Sequence, residues 1–152
     1  MKIKEMLAGK TDNTFIQFFR YIFVGGAATV VDWGSSALLF YVVFGGKYAV
    51  AANVISFVLG LVTNFLISTV WVFNGSKVKS KIAEFAGFAA IGVVGLLITA
   101  GVTSLFDYLL ADTTSLYQLI AKVASTAISF FWNFFARKYL LYNNKSDDGE
   151  NN

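Results

Sequence analysis

The chain has 152 residues, of which 57% are hydrophobic and 14% are charged, whereas soluble domains carry about 25% charged residues. It contains no cysteine and no histidine, which excludes disulfides, thiolate metal sites and the most common general base near neutral pH. The few remaining reactive side chains favour neither an enzyme nor a cofactor. The net charge of +3 comes from short basic segments beside apolar blocks, a pattern that favours membrane topology over nucleic-acid binding.

Four apolar stretches are each long enough for a helix to cross the hydrocarbon layer, which takes about 20 residues. They lie at about 21–44, 48–72, 85–110 and 116–139. The first stretch is too long for the apolar region of a signal peptide, and four in succession leave no polar surface for a soluble fold. We therefore predict an all-α integral membrane protein with a membrane domain at 15–142, a cytoplasmic segment at 1–14 and a disordered tail at 143–152.

Basic residues are concentrated before the first stretch, between the second and third, and after the fourth. They are Lys2, Lys4, Lys10 and Arg20, then Lys77, Lys79 and Lys81, then Arg137, Lys138 and Lys145. The other two connections carry only Lys47 and Asp112. Because cytoplasmic loops hold the excess of Lys and Arg, both termini are predicted to be cytoplasmic and the protein to lie in the cytoplasmic membrane.

An internal repeat relates the two halves of the chain. A displacement of 69 positions pairs Asn64 with Asn133 and Asn53 with Lys122 without a gap. The same displacement gives the pairs Phe19–Phe88, Gly26–Gly95, Ala52–Ala121, Val54–Val123 and Ser56–Ser125. Each half is then a hairpin of two helices that enters the membrane the same way up, which is a parallel repeat.

Polar side chains within the spans, or at their ends, are the candidates for a binding site. They are Arg20, Asp32, Asn53, Asn64, Lys122, Asn133 and Arg137. An ionisable group inside a span costs at least about 2.5 kcal/mol and usually marks pairing or function. Asp32, halfway along the first stretch, either pairs with another helix or lies on a polar path.

The remaining candidates each allow two interpretations. Lys122, about 9 Å inside its helix at 1.5 Å per residue, either extends outward to water or meets Asp32 or an anionic substrate. Asn64 and Asn133 bridge helices or line a path. Arg20 and Arg137 anchor the cytoplasmic interface or bind phosphate. Asp107, near the outer end of its helix, is expected simply to reach water.

Four sequence blocks, in their order and spacing, resemble the GtrA-like family. They are FFRYIFVGGAATVVDW at 18–33, AANVISFVLGLVTNF at 51–65 followed by WVF at 71–73, AKVAST at 121–126, and WNFFARKYLLY at 132–142. The resemblance extends from about residue 15 to 142. It implies that the seven candidate residues occupy the family's recurring polar positions. It also implies a small four-helix protein that moves a polyprenyl-phosphate-linked sugar from the cytoplasmic to the outer leaflet.

The resemblance therefore predicts a flippase for a polyprenyl-phosphate-linked monosaccharide of the glucose or galactose type. A membrane glycosyltransferase then transfers the sugar to a cell-surface polysaccharide such as teichoic acid or O-antigen. Because four helices enclose little volume, the groove is expected to open to the lipid bilayer, or the protein to form a homo-oligomer. Two alternatives remain, a scaffold that recruits a glycosyltransferase and a small cation exporter, and Lys122 argues against the exporter.

Overall fold

The computed structural model describes residues 3–110 and 115–142, and this part of the chain is helical and contains no strand. The helices are α1 Ile3–Leu7, α2 Thr14–Ala37, α3 Ala49–Ile67, α4 Lys81–Leu110 and α5 Ser115–Ala136. Three helices continue into π-helical segments, which are π1 Leu38–Val43, π2 Ser68–Val72 and π3 Arg137–Leu141. The predicted disordered tail at 143–152 lies outside the described residues, as do Lys2 and Asp112.

Four continuous helices are long and apolar enough to cross a membrane. They are Thr14–Val43, Ala49–Val72, Lys81–Leu109 and Ser115–Leu141. Large apolar side chains on them are exposed, as surfaces that contact acyl chains require, with Val70 and Val50 at 74% and 77% exposure. The prediction of an all-α membrane protein with four spans is confirmed. The cytoplasmic location of both termini stays a prediction.

The helix α2 begins at Thr14, well before the apolar stretch that starts at residue 21, because Asn13 caps it. The Oδ1 atom of Asn13 accepts hydrogen bonds from the backbone amides of Phe15 at 3.0 Å and Ile16 at 3.3 Å. This cap satisfies two of the amides that a helix start leaves without partners. The first turns of α2 therefore carry polar side chains, and among them Arg20 is buried.

The chain divides into two compact units, each built on one pair of helices. The first unit ends at Gly75 and contains α2 packed on α3, and the second begins at Ser76 and contains α4 packed on α5. In each unit, the end where the chain passes from the first helix to the second is here named the turn end, and the opposite end the open end. At the turn end of the first unit, Gly45 and Gly46 have φ angles of 58° and 79°, which glycine adopts without strain.

The same pattern of buried residues recurs in the two units. From α3 to the residue after π2 it comprises Ala52, Ser56, Gly60, Phe65, Ser68, Val72 and Phe73. Ala136 and Lys138 are buried in the second unit alone, and the counterparts of the seven, from α5 to the residue after π3, are Ala121, Ser125, Ser129, Phe134, Arg137, Leu141 and Tyr142. Each member of the second set lies 69 positions after its counterpart. The predicted displacement is therefore confirmed for the second helix of each unit.

The displacement is shorter in the first helix of each unit, where the predicted pairs were wrong. The structure matches buried Tyr21 with Phe88, and Ala28 with Gly95, a separation of 67 positions. It does not match Phe19 with Phe88, or Gly26 with Gly95. The second unit thus has two more residues between its equivalent helix positions, and connections at helix ends absorb such differences readily.

In each unit the two helices approach closely at a small residue. A Cβ atom added to Gly60 would lie 2.9 Å from Cβ of Asp32 and 3.1 Å from the backbone oxygen of Ala28. In the second unit, the hydroxyl of Ser129 donates to the backbone oxygen of Gly95 at 2.8 Å. Small residues allow this approach, which membrane helices need because lipid offers no hydrophobic drive for their association.

We expect Gly60→Ala to destabilise the first unit by about 1–3 kcal/mol, because the added methyl group meets the backbone of α2. Gly34→Ala is the matched control, since a Cβ atom there meets nothing within 4 Å. Thermal unfolding in detergent micelles, followed by circular dichroism, measures both variants. Equal unfolding temperatures for the two variants would contradict the close approach at Gly60.

Candidate functional site

A polar groove of about 420 Å³ lies toward the turn end of the second unit. It is lined by Thr99, Thr103 and Asp107 of α4 and by Gln118, Ala121, Lys122, Ser125 and Thr126 of α5. The three α4 residues recur at intervals of four, which places them on one face of the helix. We name this the Lys122 groove. Apart from Ala121, all of its lining residues are polar, although both helices belong to apolar spans.

One hydrogen bond joins the two walls of the Lys122 groove, and a second lies within α5. The hydroxyl of Thr103 donates to that of Ser125 at 3.1 Å, and Ser125 donates to the backbone oxygen of Lys122 at 3.1 Å. Lys122 lies about 10 Å along the axis from the start of α5. Within residues 3–110 and 115–142, its ammonium group has no hydrogen-bond or ion-pair partner. The groove thus holds a cation that is available to a ligand.

Asp107 lines the same groove as Lys122, although the sequence suggested only that it reaches water. The spacing of Thr99, Thr103 and Asp107 is the signal that sequence reasoning missed. A carboxylate and an ammonium group in one groove nearly cancel in net charge, while both still bind polar atoms. The arrangement therefore suits a ligand that combines an anionic group with hydroxyls.

A second groove, of about 360 Å³, lies toward the turn end of the first unit. It is lined by Trp33, Ser36, Ala37, Phe40, Tyr41, Ala49 and Asn53. The hydroxyl of Ser36 donates to Oδ1 of Asn53 at 2.7 Å. We name this the Asn53 groove. It contains one of the predicted site residues and three aromatic rings.

Asp32, Asn64 and Asn133 are half-buried between the helices of their own units. Asp32 lies at the close approach to Gly60, and Asn64 accepts a hydrogen bond from the hydroxyl of Ser68 at 3.0 Å. The amide nitrogen of Asn133 donates to the backbone oxygen of Ser129 at 2.9 Å. The buried Oδ1 atom of Asn133 has no hydrogen-bond partner among the described residues. None of the three lines either groove.

Arg20 is fully buried at the open end of the first unit, where it binds backbone oxygens. Its guanidinium donates to the oxygens of Met6 at 2.9 Å, Gly9 at 2.7 Å, Ala8 at 3.3 Å and Trp71 at 2.9 Å. It also lies 5.5 Å from the ring centroid of Trp71. These contacts fasten the N-terminal segment to the hairpin and favour an anchoring role for Arg20.

Arg137 is buried at the open end of the second unit. Its guanidinium carbon lies 3.5 Å from the ring centroid of Phe88, and its Nη2 atom donates to the Phe88 backbone oxygen at 3.2 Å. Two residues that sequence reasoning missed, Glu84 and Tyr142, are buried at the same end. Glu84 forms an ion pair of 3.0 Å with Lys81. The only sequence signal for this cluster is Glu84, a carboxylate in the first turn of an apolar helix.

Tyr142 follows the last span and is coupled electrostatically to this cluster. Burial raises the pKa of Tyr142 above its ordinary value, and the negative charge of Glu84 raises this pKa further. The positive charge of Arg137 lowers the pKa of Tyr142, against these two effects. The neutral phenol is therefore favoured in the folded protein.

Each within its own unit, the seven predicted residues thus lie at three positions along the helix pair. Asn53 and Lys122 lie in grooves toward the turn ends, Asp32 and Asn133 near the close approaches, and Arg20, Asn64 and Arg137 toward the open ends. Within residues 3–110 and 115–142, no three acidic side chains come together as a metal site would require.

The sequence pattern of the family described as GtrA/DPMS, transmembrane domain, matches residues 20–142. The chain belongs to this family. No curated protein and no solved structure matches the chain. The GtrA/DPMS match covers both grooves and both buried arginines, and it confirms the family resemblance that the sequence blocks indicated. The protein is accordingly a multi-pass membrane protein.

In this GtrA/DPMS protein we expect Arg20→Lys to release the N-terminal segment, because an ammonium group cannot match the fork of a guanidinium. The lost hydrogen bonds correspond to about 2 kcal/mol, or roughly thirtyfold faster amide hydrogen exchange over residues 6–13. Mass spectrometry of the protein in detergent measures the exchange. The exposed cation Lys47, changed to Gln, is the control. Unchanged protection in Arg20→Lys would show that the segment is held otherwise.

We expect the stability of the GtrA/DPMS protein to fall above about pH 10, because Tyr142 then ionises when unfolded but keeps its proton when folded. The unfolded state binds fewer protons, so each pH unit above this point removes up to about 1.4 kcal/mol. Tyr142→Phe should remove this part of the slope. Unfolding midpoints in detergent at pH 9, 10 and 11 give the two slopes, and equal slopes would contradict the burial of the phenol.

Proposed function

We propose that this protein is a flippase for a polyprenyl-phosphate-linked monosaccharide of the glucose or galactose type. It acts in the cytoplasmic membrane, without catalysis, and supplies a membrane glycosyltransferase that modifies a cell-surface polysaccharide such as teichoic acid or O-antigen. Membership of the GtrA/DPMS family supports a role with lipid-linked sugars. The single observation that carries the proposal is the available cation of Lys122 in a polar groove on an apolar hairpin.

The main obstacle to such transport is the polar head of the lipid. A phosphate and several hydroxyls must cross about 30 Å of hydrocarbon, where each polar group without a partner costs several kcal/mol. The prenyl chain faces no such cost and stays in lipid. A protein therefore needs only a narrow polar surface for the head, which the faces of two helices can provide.

The Lys122 groove has the groups that this head requires. The ammonium of Lys122 pairs with the phosphate, while Gln118 and Asp107 bind sugar hydroxyls. Asp107 also limits the affinity for the anion, which favours its release. If Lys122 only extended outward to water, the groove would need no polar residues further from the turn end. Thr99 and Thr126 nevertheless continue the polar lining in that direction, which favours a path for a ligand.

The other candidates support this path from separate positions. The buried Oδ1 atom of Asn133 can accept a hydrogen bond from a sugar hydroxyl as the head passes. Asn64 has the equivalent position in the first unit. Arg20 and Arg137 hold the open ends of the two units.

We expect Lys122→Gln to lower the rate of transport at least tenfold, a loss of about 1.4 kcal/mol or more in binding of the phosphate. Purified protein is reconstituted in liposomes that contain polyprenyl-phosphate glucose or galactose, and a membrane-impermeant reagent scores the exposed sugar. Lys122→Arg retains the charge and should retain transport.

Lys47→Gln removes a cation outside the groove and serves as the matched control for Lys122→Gln. Transport by Lys122→Gln at the wild-type rate would overturn the role of the cation. Absence of movement of both lipids with folded wild-type protein would overturn the flippase and favour a scaffold for a glycosyltransferase.

A further inference from the structure

The Asn53 groove and the Lys122 groove are equivalent sites in the two units. The first-helix displacement of 67 positions matches Ser36 with Thr103 and Phe40 with Asp107, and the second-helix displacement of 69 matches Ala49 with Gln118 and Asn53 with Lys122. Both members of each pair line their groove. The repeat therefore carries the same groove twice, with different chemistry in each copy.

Aromatic rings dominate the Asn53 groove, and no charged side chain lines it. Trp33 and Tyr41 are 74% and 71% exposed, so their ring surfaces are accessible to a ligand. Phe40 occupies the position that Asp107 has in the second unit. A phosphate would find no cation among these lining residues, which makes the groove suitable for an uncharged group.

The polar atoms of the groove determine which hydrogen-bonding groups this uncharged ligand must have. The Oδ1 atom of Asn53 already accepts a hydrogen bond from Ser36 at 2.7 Å. Its amide nitrogen has two N–H donors, and within residues 3–110 and 115–142 neither has an acceptor. An acyl chain would leave both donors without a partner inside an apolar span, which is unfavourable. A ligand with oxygen acceptors satisfies them.

A hexose ring has both properties that the groove requires. Its hydroxyl oxygens accept hydrogen bonds, and its C–H groups, which carry a small positive charge, are attracted to the negative face of an aromatic ring. The groove volume of about 360 Å³ falls in the range of about 300–1,000 Å³ that small-molecule sites occupy.

We infer that the Asn53 groove is a second binding site, specific for the uncharged sugar of the lipid, with Trp33 and Tyr41 as the stacking surface and Asn53 as the hydrogen-bond donor. The inference rests on the proposed function for the identity of the carrier lipid. It adds a sugar site in the first unit to the phosphate-binding Lys122 groove of the second, so the two can be tested separately.

The test compares the binding of farnesyl-phosphate glucose with that of farnesyl methyl phosphate, a phosphodiester of the same charge, in detergent micelles, by quenching of tryptophan fluorescence or by calorimetry. Wild-type protein should bind the glucose-bearing ligand about tenfold more tightly. Trp33→Leu and Asn53→Ala should each lower this preference severalfold and leave the affinity for farnesyl methyl phosphate unchanged. Lys122→Gln should weaken the binding of both ligands and keep the preference for the glucose-bearing one.

Tyr108→Leu is the matched control, because Tyr108 is an aromatic residue that is 84% exposed and lines neither groove. It should keep the full preference, and circular dichroism verifies that each variant is folded. Equal affinity of wild-type protein for the two ligands, or a preference that is unchanged in both Trp33→Leu and Asn53→Ala, would overturn the sugar site and leave the flippase proposal intact. Failure of wild-type protein to bind either ligand would overturn both.

Discussion

The close approach of two helices at one small residue is the constraint on which each unit depends. In hydrocarbon no exclusion of water drives helices together, so packing and hydrogen bonds between the helices must do so. Gly60 against Ala28, and Gly95 against Ser129, provide this contact in the two units. Each contact separates a groove on its turn side from a cluster of buried polar groups on its open side, so one packing interaction sets the positions of both.

The open ends bury arginine in two different ways. In the first unit, Arg20 binds the oxygens at the end of α1 and of Trp71, which carry the partial negative charge that helix ends expose. In the second unit, Arg137 stacks on Phe88, and Glu84 lies buried at the same end. The first unit has Ser68 at the position of Arg137, so the two buried cations do not occupy equivalent places in the repeat. The two units therefore share the same pair of helices but bury different polar side chains at their open ends.

The four spans could be predicted from the sequence because length and apolar content alone determine whether a helix crosses a bilayer. The repeat was also predictable where distinctive residues mark it, as Asn64 and Asn133 do. It was misplaced in α2 and α4 because apolar residues match each other by chance, and only burial shows that Tyr21 corresponds to Phe88. The grooves were not predictable, since they depend on which faces of two helices meet.

The hydrogen bonds within the first unit have a consequence for biogenesis. Long-range hydrogen bonds of this unit join the N-terminal segment to the side chains of Trp71 and Asn74, as between the Asn74 amide nitrogen and the backbone oxygen of Thr11 at 2.8 Å. Nothing in these bonds requires α4 or α5. Domains fold from the N-terminus during synthesis, so this hairpin can complete its structure once the ribosome has released residue 74. The nascent chain then offers the translocon a finished helical pair while the second pair is still being translated.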